Sequence, residues 1–284
     1  MPGESHRGPL EPFPDKDLVK RLQRHVAELA KAERNTDLER PARYIADAFG
    51  KEAKSHAFES GGRTVRNIET GAGPIVVGAH YDTVPGSPGA DDNASGVAVL
   101  IELARRLSGE GIRFVAFANE EPPYFMGPDM GSWVSAKRSR DRGEPVRAMF
   151  SLEMLGYYRD QPGSQRYPFP LGWFYPDRGD FIAFVGDLGA RSLVRKSILL
   201  FRRNAHFPSE GVAAPAFIPG VTWSDHWSFR DHGFPAIMVT DTAFFRNPHY
   251  HLPSDTPDKL DYERMARVTL GLAAMLKELA HEGR

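Results

Sequence analysis

The stretch Ile75-Val76-Val77-Gly78-Ala79-His80-Tyr81-Asp82 begins with apolar residues and ends with polar ones. Its first five residues are apolar or small, which is typical of a strand that is buried on both faces of a parallel sheet. His80 and Asp82 would then stand at the carboxyl end of this strand, where open α/β sheets gather their functional groups. The stretch therefore predicts an α/β fold with a polar site at one edge of a sheet.

The same alternation of buried strands and amphipathic helices continues along the chain. Further strands are predicted at residues 112–118, 146–152, 181–185 and 234–240, with a hairpin at 57–69. Helices are predicted at residues 15–32, 37–49, 93–107, 188–201 and 262–281. Strands that alternate with helices favour a mainly parallel mixed sheet that is covered by helices on both faces.

Length and composition narrow the function classes. The chain has 284 residues, and we predict a leader at residues 1–14 and a single domain over residues 15–284. A formal net charge of -1 gives no electrostatic argument for nucleic acid or a membrane as partner. The absence of cysteine excludes disulfides, thiolate metal ligands and a cysteine nucleophile. No secretion signal is visible, so we expect a cytoplasmic protein, although a secreted protein without its signal would look the same.

Four more motifs combine with His80-Tyr81-Asp82 to indicate a metal site. They are Gly89-Ala90-Asp91-Asp92-Asn93-Ala94-Ser95-Gly96, Asn119-Glu120-Glu121, Ser151-Leu152-Glu153-Met154 and Pro248-His249-Tyr250-His251. Each supplies carboxylate or imidazole groups, which suit zinc in sites built from nitrogen and oxygen. Hydrolysis at a metal centre is therefore the leading hypothesis.

Each motif also has a simpler explanation when it is taken alone. Asp92 or Asn93 could merely cap the helix that follows. Adjacent glutamates are usually solvent-exposed, but Glu120 and Glu121 follow a buried strand and so indicate one metal ligand and one general base. A turn would have to let both side chains converge. His249 competes as a ligand with the histidine two residues later, and spacing alone does not separate the two.

A further segment, Ser224-Asp225-His226-Trp227, is predicted to start a helix. Asp225 is a candidate cap for that helix, and His226 is a candidate packed or hydrogen-bonded side chain.

Taken in order, the motifs resemble the M28 family of zinc exopeptidases, which includes aminopeptidases and glutaminyl cyclases. The resemblance covers roughly residues 68–279. It implies a zinc-exopeptidase type of α/β fold with two zinc ions per chain. The implied metal ligands are His80 and Glu153 for one ion, Glu121 and His251 for the other, and Asp92 as the bridge. Glu153 departs from the aspartate of the best-known aminopeptidases, which puts metal distance and metal preference in doubt.

The resemblance also implies catalytic roles. Asp82 would orient the imidazole of the first ligand, His80. Glu120 would be the general base, and Tyr250 would stabilise the oxyanion of the tetrahedral intermediate. The α-amine of the substrate would need a carboxylate, for which Glu153 is the first candidate and Asp225 a weaker one.

We therefore expect an aminopeptidase that cleaves the first bond of a peptide with a free N-terminus. A glutaminyl-peptide cyclotransferase with one zinc ion and a degenerate binding module are the alternatives. Cyclases depart from the sequence at residues 93–96, and degenerate members lose ligands, whereas every ligand position here carries a competent side chain. No Gly-x-Ser-x-Gly motif occurs, which disfavours a serine hydrolase.

A proline- and aromatic-rich segment at residues 157–180 predicts a loop at the mouth of the site. Proline cannot easily continue a sheet or helix, so the aromatic side chains need apolar surface elsewhere. We expect some of them to wall a pocket for a hydrophobic first residue, with Phe244 and Phe245 approaching from the other side. The candidates are Phe169, Trp173, Phe174 and Tyr175. The alternative is that the loop only packs on the domain as an accessory core.

Overall fold

The fold is built on one mixed sheet, seen in a computed structural model that describes residues 5, 6, 8, 10 and 15–282. The described strands are β1 (Lys54–Ser60), β2 (Arg63–Gly71), β3 (Ile75–His80), β4 (Ile112–Phe117), β5 (Ala148–Glu153), β6 (Ile182–Asp187), β7 (Ser209–Ala214) and β8 (Ala236–Thr240). Their order is β1-β2-β4-β3-β5-β8-β6-β7. Most of the predicted leader lies outside the described residues, so that boundary stays a prediction.

The sheet is parallel at its centre, from β4 to β8, and antiparallel pairs adjoin this centre on both sides. The pairs β3–β4, β3–β5, β5–β8 and β6–β7 are parallel. The pairs β1–β2, β2–β4 and β6–β8 are antiparallel. This arrangement confirms the predicted α/β class and the mixed, mainly parallel sheet.

Helices cover both faces of the sheet. They are α1 (Lys16–Leu29), α2 (Glu39–Phe49), α3 (Gly96–Arg106), α4 (Gly131–Asp141), α5 (Arg191–Asn204), α6 (His226–Asp231) and α7 (Tyr262–His281). On one face α3 packs on β3, β4 and β5, and α1, α5 and α7 complete that layer. On the other face α4 and α6 pack together against the sheet. None of the helices within residues 15–282 has the length and apolar character needed to cross a membrane.

Sequence periodicity missed β7 and α4, and their composition explains why. The buried side of α4 consists largely of small residues, including Ser132, Ser135, Ala136 and Ser139. A helix whose buried face is built from serine shows little amphipathic contrast. Strand β7, with the sequence Ser-Glu-Gly-Val-Ala-Ala, lies at the edge of the sheet and has a single β-branched residue.

Loops, not helices, cover one part of the sheet. Helix α5 packs on one side of β6, β7 and β8. The opposite side of these strands carries the apolar residues Phe181, Ala183, Val185, Val212 and Met238. Residues of the 157–180 loop, such as Leu171 and Tyr175, pack on them instead. A cavity lies between these loops and the strands.

Candidate active site

Two site residues come from neighbouring parallel strands. Gly78 of β3 pairs with Ser151 of β5, and His80 and Glu153 each lie two residues further along. Residues two apart on a strand point to the same face, so both side chains project from one side of the sheet. His80 Nε2 lies 3.5 Å from Glu153 Oε2. The carboxyl ends of these strands therefore meet where the sequence predicted a polar site.

The five predicted ligands form two groups that share Asp92. Its Oδ1 lies 3.3 Å from His80 Nε2, and its Oδ2 lies 3.1 Å from His251 Nε2. His251 Nε2 is also 3.5 Å from Glu121 Oε2. The possible ligand atoms of each group lie within 4.8 Å of one another. The two groups are His80 with Asp92 and Glu153, and Asp92 with Glu121 and His251; a third group of the same size joins His80 with Glu120 and Glu121.

Asn93, not Asp92, bonds to the start of the helix that follows. The Oδ1 atom of Asn93 accepts hydrogen bonds from the backbone N–H groups of Gly96 (3.1 Å) and Met154 (3.1 Å), while its Nδ2 donates to Leu152 O (2.8 Å). A Cβ at position 96 would lie 2.7 Å from Leu152 O, so only glycine lets α3 start this close to β5. Asp92 therefore keeps both oxygens turned towards the two histidines.

A single carboxylate shapes the turn that carries both glutamates. Asp82 Oδ1 accepts the backbone N–H of Glu120 and Oδ2 accepts that of Glu121, each at 3.0 Å. Asn119 enters the turn with a φ of 60°, in the left-handed region. Both glutamates thus converge on the cluster, with Glu120 Oε2 lying 3.9 Å from His80 Nε2. Asp82 lies 3.5 Å from His80 Nδ1, an ion-pair distance, so its closest contacts are with the turn.

Asp255 binds the backbone of the Asp91–Asp92 segment in the same way as Asp82 binds the turn of the glutamates. Sequence reasoning missed this role of Asp255. Its two oxygens accept the backbone N–H groups of Asp91 (2.9 Å) and Asp92 (3.1 Å). The only sequence signal was an acid inside the proline-flanked segment that contains His251. A buried carboxylate therefore holds each of the two segments that carry adjacent acidic residues.

Arg34, which sequence reasoning also missed, ties these segments to the N-terminal helices. Its guanidinium is fully buried and donates to four backbone carbonyl groups. The acceptors are Tyr81 O (2.7 Å), Leu29 O (3.1 Å), Pro88 O (2.7 Å) and Gly89 O (2.8 Å). Tyr81 and Gly89 flank the segments that carry His80 and Asp92. Backbone acceptors leave no trace in a sequence, so no motif could identify this role.

The structure separates the two competing histidines. His249 Nδ1 is hydrogen-bonded to Ser254 Oγ at 2.9 Å, and its ring packs edge-on against Tyr157. His251 alone joins the ligand cluster. Tyr250 stacks on His251, with ring centroids 3.7 Å apart. Burial and the nearby carboxylates raise the pKa of Tyr250 well above its usual value, so its hydroxyl stays protonated and able to donate a hydrogen bond.

The two candidate partners of a substrate amine differ in position. Glu153 lines the cleft beside the cluster, and its Oε2 accepts a hydrogen bond from Ser224 Oγ at 2.7 Å. Asp225 is fully buried and does not line that cleft. It also makes no side-chain cap on α6, which corrects the predicted cap. His226 is buried and hydrogen-bonded to Val221 O (2.9 Å), as one of its two predicted roles required.

The cluster has the properties of a cation site. Burial raises the pKa of Glu120 well above its usual value, and repulsion from Glu121 and Glu153 adds to the rise despite the nearby imidazole of His80. Burial and Asp92 raise the pKa of Glu121 to about 7. Repulsion among carboxylates of this kind is relieved by bound cations.

Unpaired atoms point to the same conclusion. Within the described part of the chain, His80 Nε2, His251 Nε2 and Glu121 Oε1 are buried without a hydrogen-bond partner. Buried polar atoms normally have partners, so these three are available to an ion. The mixture of imidazole and carboxylate donors fits zinc or a similar divalent transition metal.

Two adjoining cavities open beside the cluster. A cleft of about 180 Å³ is lined by Asp92, both glutamates of the turn and His251. A second, apolar cavity of about 90 Å³ lies between the sheet and the covering loops. Glu153, Trp223 and Tyr250 line both. An extended ligand could therefore occupy the cleft and place one side chain in the apolar cavity.

The walls of the apolar cavity correct one prediction. Tyr175, Phe244 and Phe245 line it, in agreement with the expectation from sequence. Three other aromatic residues do not line it and are 78%, 75% and 74% exposed, namely Phe169, Trp173 and Phe174. Of the loop residues that line the cavity, Tyr167, Leu171 and Tyr175 are spaced by four around a short 3₁₀ turn. This spacing turns the intervening aromatic side chains outward.

Comparison with known proteins places these observations in a family. The sequence model of peptidase family M28 matches residues 62–276. An uncharacterized protein of Escherichia coli K12, YfbL, is 44% identical over 261 residues, covering 84% of this chain and 80% of its own. A probable leucine aminopeptidase of Arthroderma otae is 28% identical over 255 residues, which span 81% of this chain but only 62% of that protein.

Solved structures share the fold. The Legionella pneumophila LapA aminopeptidase aligns with a TM-score of 0.71 at 21% identity, covering 96% of this chain and 77% of its own. A glutaminyl cyclase of Bacteroides thetaiotaomicron aligns with a TM-score of 0.67 at 17% identity, covering 96% and 100%. With the family model matching most of the sequence, the chain belongs to peptidase family M28.

Proposed function

We propose that the protein is a zinc-dependent aminopeptidase that binds two metal ions. The observation that carries the proposal is the pair of ligand groups that share Asp92. His80 and Glu153 would hold one ion, Glu121 and His251 the other, and Asp92 would bridge them. A cyclase with one ion would need only one such group, so the presence of two complete groups favours the aminopeptidase.

The chain's own residues account for the proton transfers. Zinc, when bound, would act as a Lewis acid that polarises the scissile carbonyl and makes the attacking water more acidic. Glu120 would take the proton of that water as its oxygen bonds to the carbonyl carbon. It would then give the proton to the nitrogen of the leaving amine as the carbon–nitrogen bond breaks. Glu120 lines the cleft, and its Oε2 lies 3.9 Å from His80 Nε2, so the proposed base stands beside the metal ligands.

The other cleft residues would position the substrate. Tyr250, with its protonated hydroxyl at the cleft, would donate a hydrogen bond to the developing oxyanion. Glu153 would contact the free α-amine, since it is the carboxylate that lines both cavities. The first side chain of the substrate would then enter the apolar cavity, which favours a hydrophobic first residue. Asp82 would act through the turn, by fixing the direction of Glu120.

Metal removal and substrate choice test the proposal together. We expect the chelator-treated protein to be inactive and to regain hydrolysis of leucine p-nitroanilide as it takes up two equivalents of zinc. N-acetyl-leucine p-nitroanilide is the matched control and should not be cleaved, because it lacks the free amine. A peptide with N-terminal glutamine should be hydrolysed and not cyclised. One bound zinc with cyclisation, or no hydrolysis by the zinc-loaded protein, would contradict the proposal.

A further inference from the structure

The apolar cavity follows one row of side chains across the sheet. In the strand register, Glu153 of β5 pairs with Thr240 of β8, Thr240 with Ala183 of β6, and Ala183 with Glu210 of β7. Paired residues point to the same face, and all four line the cavity. Strands in a sheet lie about 4.8 Å apart, so the row extends about 14 Å from the strand of Glu153 to that of Glu210.

The far end of this row is polar. The side chain of Glu210 is 12% exposed, and its Oε2 lies 3.5 Å from Nη2 of Arg202. Arg202 also donates to the hydroxyl and the carbonyl of Ser209. The positive charge of Arg202 offsets the negative charge of Glu210. This end of the cavity is therefore a poor site for a positively charged side chain of a substrate. A carboxylate can accept several hydrogen bonds, so a neutral donor suits it.

The walls between the two ends favour an aromatic ring. Tyr167 and Tyr175 pack against each other with ring centroids 5.8 Å apart, and both line the cavity. The hydroxyl of Tyr175 donates to Gly211 O at 2.9 Å, so it is already satisfied by the backbone. Aromatic rings pack well against such walls in edge or offset arrangements.

We propose that Glu210 is a specificity-determining residue that accepts a hydrogen bond from the phenolic hydroxyl of an N-terminal tyrosine. The inference rests on the proposed aminopeptidase function, which places the first side chain of the substrate in this cavity. The side chain of an N-terminal leucine would fill only the half of the cavity that lies between Glu153 and Thr240. Phenylalanine would fill the apolar length but would leave the carboxylate of Glu210 without this bond. The enzyme would thus prefer tyrosine among hydrophobic residues.

Kinetics on matched substrates test the inference. The zinc-loaded wild type should show a kcat/KM for tyrosine p-nitroanilide above that for phenylalanine p-nitroanilide by roughly ten- to a hundredfold, the usual effect of a hydrogen bond to a charged group. Glu210→Leu should bring this ratio to about one by lowering the tyrosine value alone. A wild-type ratio near one, or an unchanged ratio in the variant, would overturn the inference.

Further variants separate recognition from folding. Glu210→Leu removes the negative charge beside Arg202, so the double variant Arg202→Met, Glu210→Leu, which removes both charges, is a second test and should show the same loss of the ratio. Thr242→Val changes another polar residue of the cavity and should keep the ratio. Calorimetric titration with free L-tyrosine and L-phenylalanine should give the same order of affinity without turnover. Cleavage of leucine and phenylalanine substrates without a tyrosine preference would refute only this inference, whereas no cleavage at all would refute the aminopeptidase proposal as well.

Discussion

Arg34→Met should destabilise the fold and loosen the metal cluster together. The guanidinium of Arg34 donates to the carbonyl groups of Tyr81 and Gly89, which lie next to the segments of His80 and Asp92. Methionine keeps an apolar side chain of similar length but cannot donate a hydrogen bond. The substitution therefore removes the bonds that hold the two ligand segments to the N-terminal helices, while it adds no bulk.

The expected loss of stability is about 3 kcal/mol. Three of the four bonds of Arg34, to the carbonyls of Leu29, Tyr81 and Gly89, are buried. At about 2 kcal/mol for each buried acceptor left unsatisfied, their loss costs roughly 6 kcal/mol. Burial lowers the pKa of Arg34 to about 10 from an ordinary 12.5, which shows that the buried charge itself destabilises the fold. Methionine carries no charge and therefore avoids this cost. At about 1.4 kcal/mol per pKa unit, the avoided cost is about 3 kcal/mol. The net loss in the free energy of unfolding is therefore about 3 kcal/mol.

Arg40→Met is the matched control for this measurement. Arg40 also donates to backbone carbonyls, those of Glu28, Leu29 and Ala32, but it is only partly buried. Water can replace its bonds, so its loss should cost less than about 1 kcal/mol. Urea unfolding of both chelator-treated variants gives the comparison without a contribution from metal binding.

Metal affinity gives a second, independent readout. Competition with a chromogenic chelator should show zinc binding weakened by about 10- to 100-fold in Arg34→Met, the usual effect of removing a residue that supports metal ligands. Arg40→Met should bind zinc like the wild type. If Arg34→Met unfolds within about 0.5 kcal/mol of the wild type and binds zinc normally, the positioning role of Arg34 is wrong.

Three further predictions follow from the site. Glu120→Gln should keep two zinc ions by metal analysis but lose about 10²–10⁴-fold in kcat, the span of general acid–base catalysis, and near-normal turnover would remove Glu120 from the mechanism. His251→Ala should lower the zinc content from two ions to one, and an unchanged content would remove it from the ligands. Trp223→Ala should lower kcat/KM for leucine p-nitroanilide because Trp223 lines both cavities, whereas the exposed Trp173→Ala should match the wild type; equal losses would mean that neither acts through the cavity.

The ligand cluster could be predicted because its signals are local in sequence. A buried strand that ends in His80 or Glu153 fixes both the side-chain type and its place at the carboxyl edge of the sheet. The same reasoning predicted that Glu120 and Glu121 converge through a turn. Asp82 lies two residues after His80, but its contacts with the backbone amides of Glu120 and Glu121 were not foreseen, because a motif records side chains and not their backbone partners.

The cavity could not be predicted in detail because it depends on the order of strands across the sheet. Glu153 and Glu210 belong to one row only because β8, which is last in the sequence, lies between β5 and β6. No local sequence pattern shows that β8 lies between β5 and β6, and Glu210 lies on β7, the strand that periodicity missed. The catalytic chemistry proposed here therefore depends on strand ends that a sequence displays, whereas the proposed choice of the first residue depends on a strand order that only the fold establishes. A substitution confined to β7 or the covering loops would therefore change the proposed specificity and leave the ligand motifs intact.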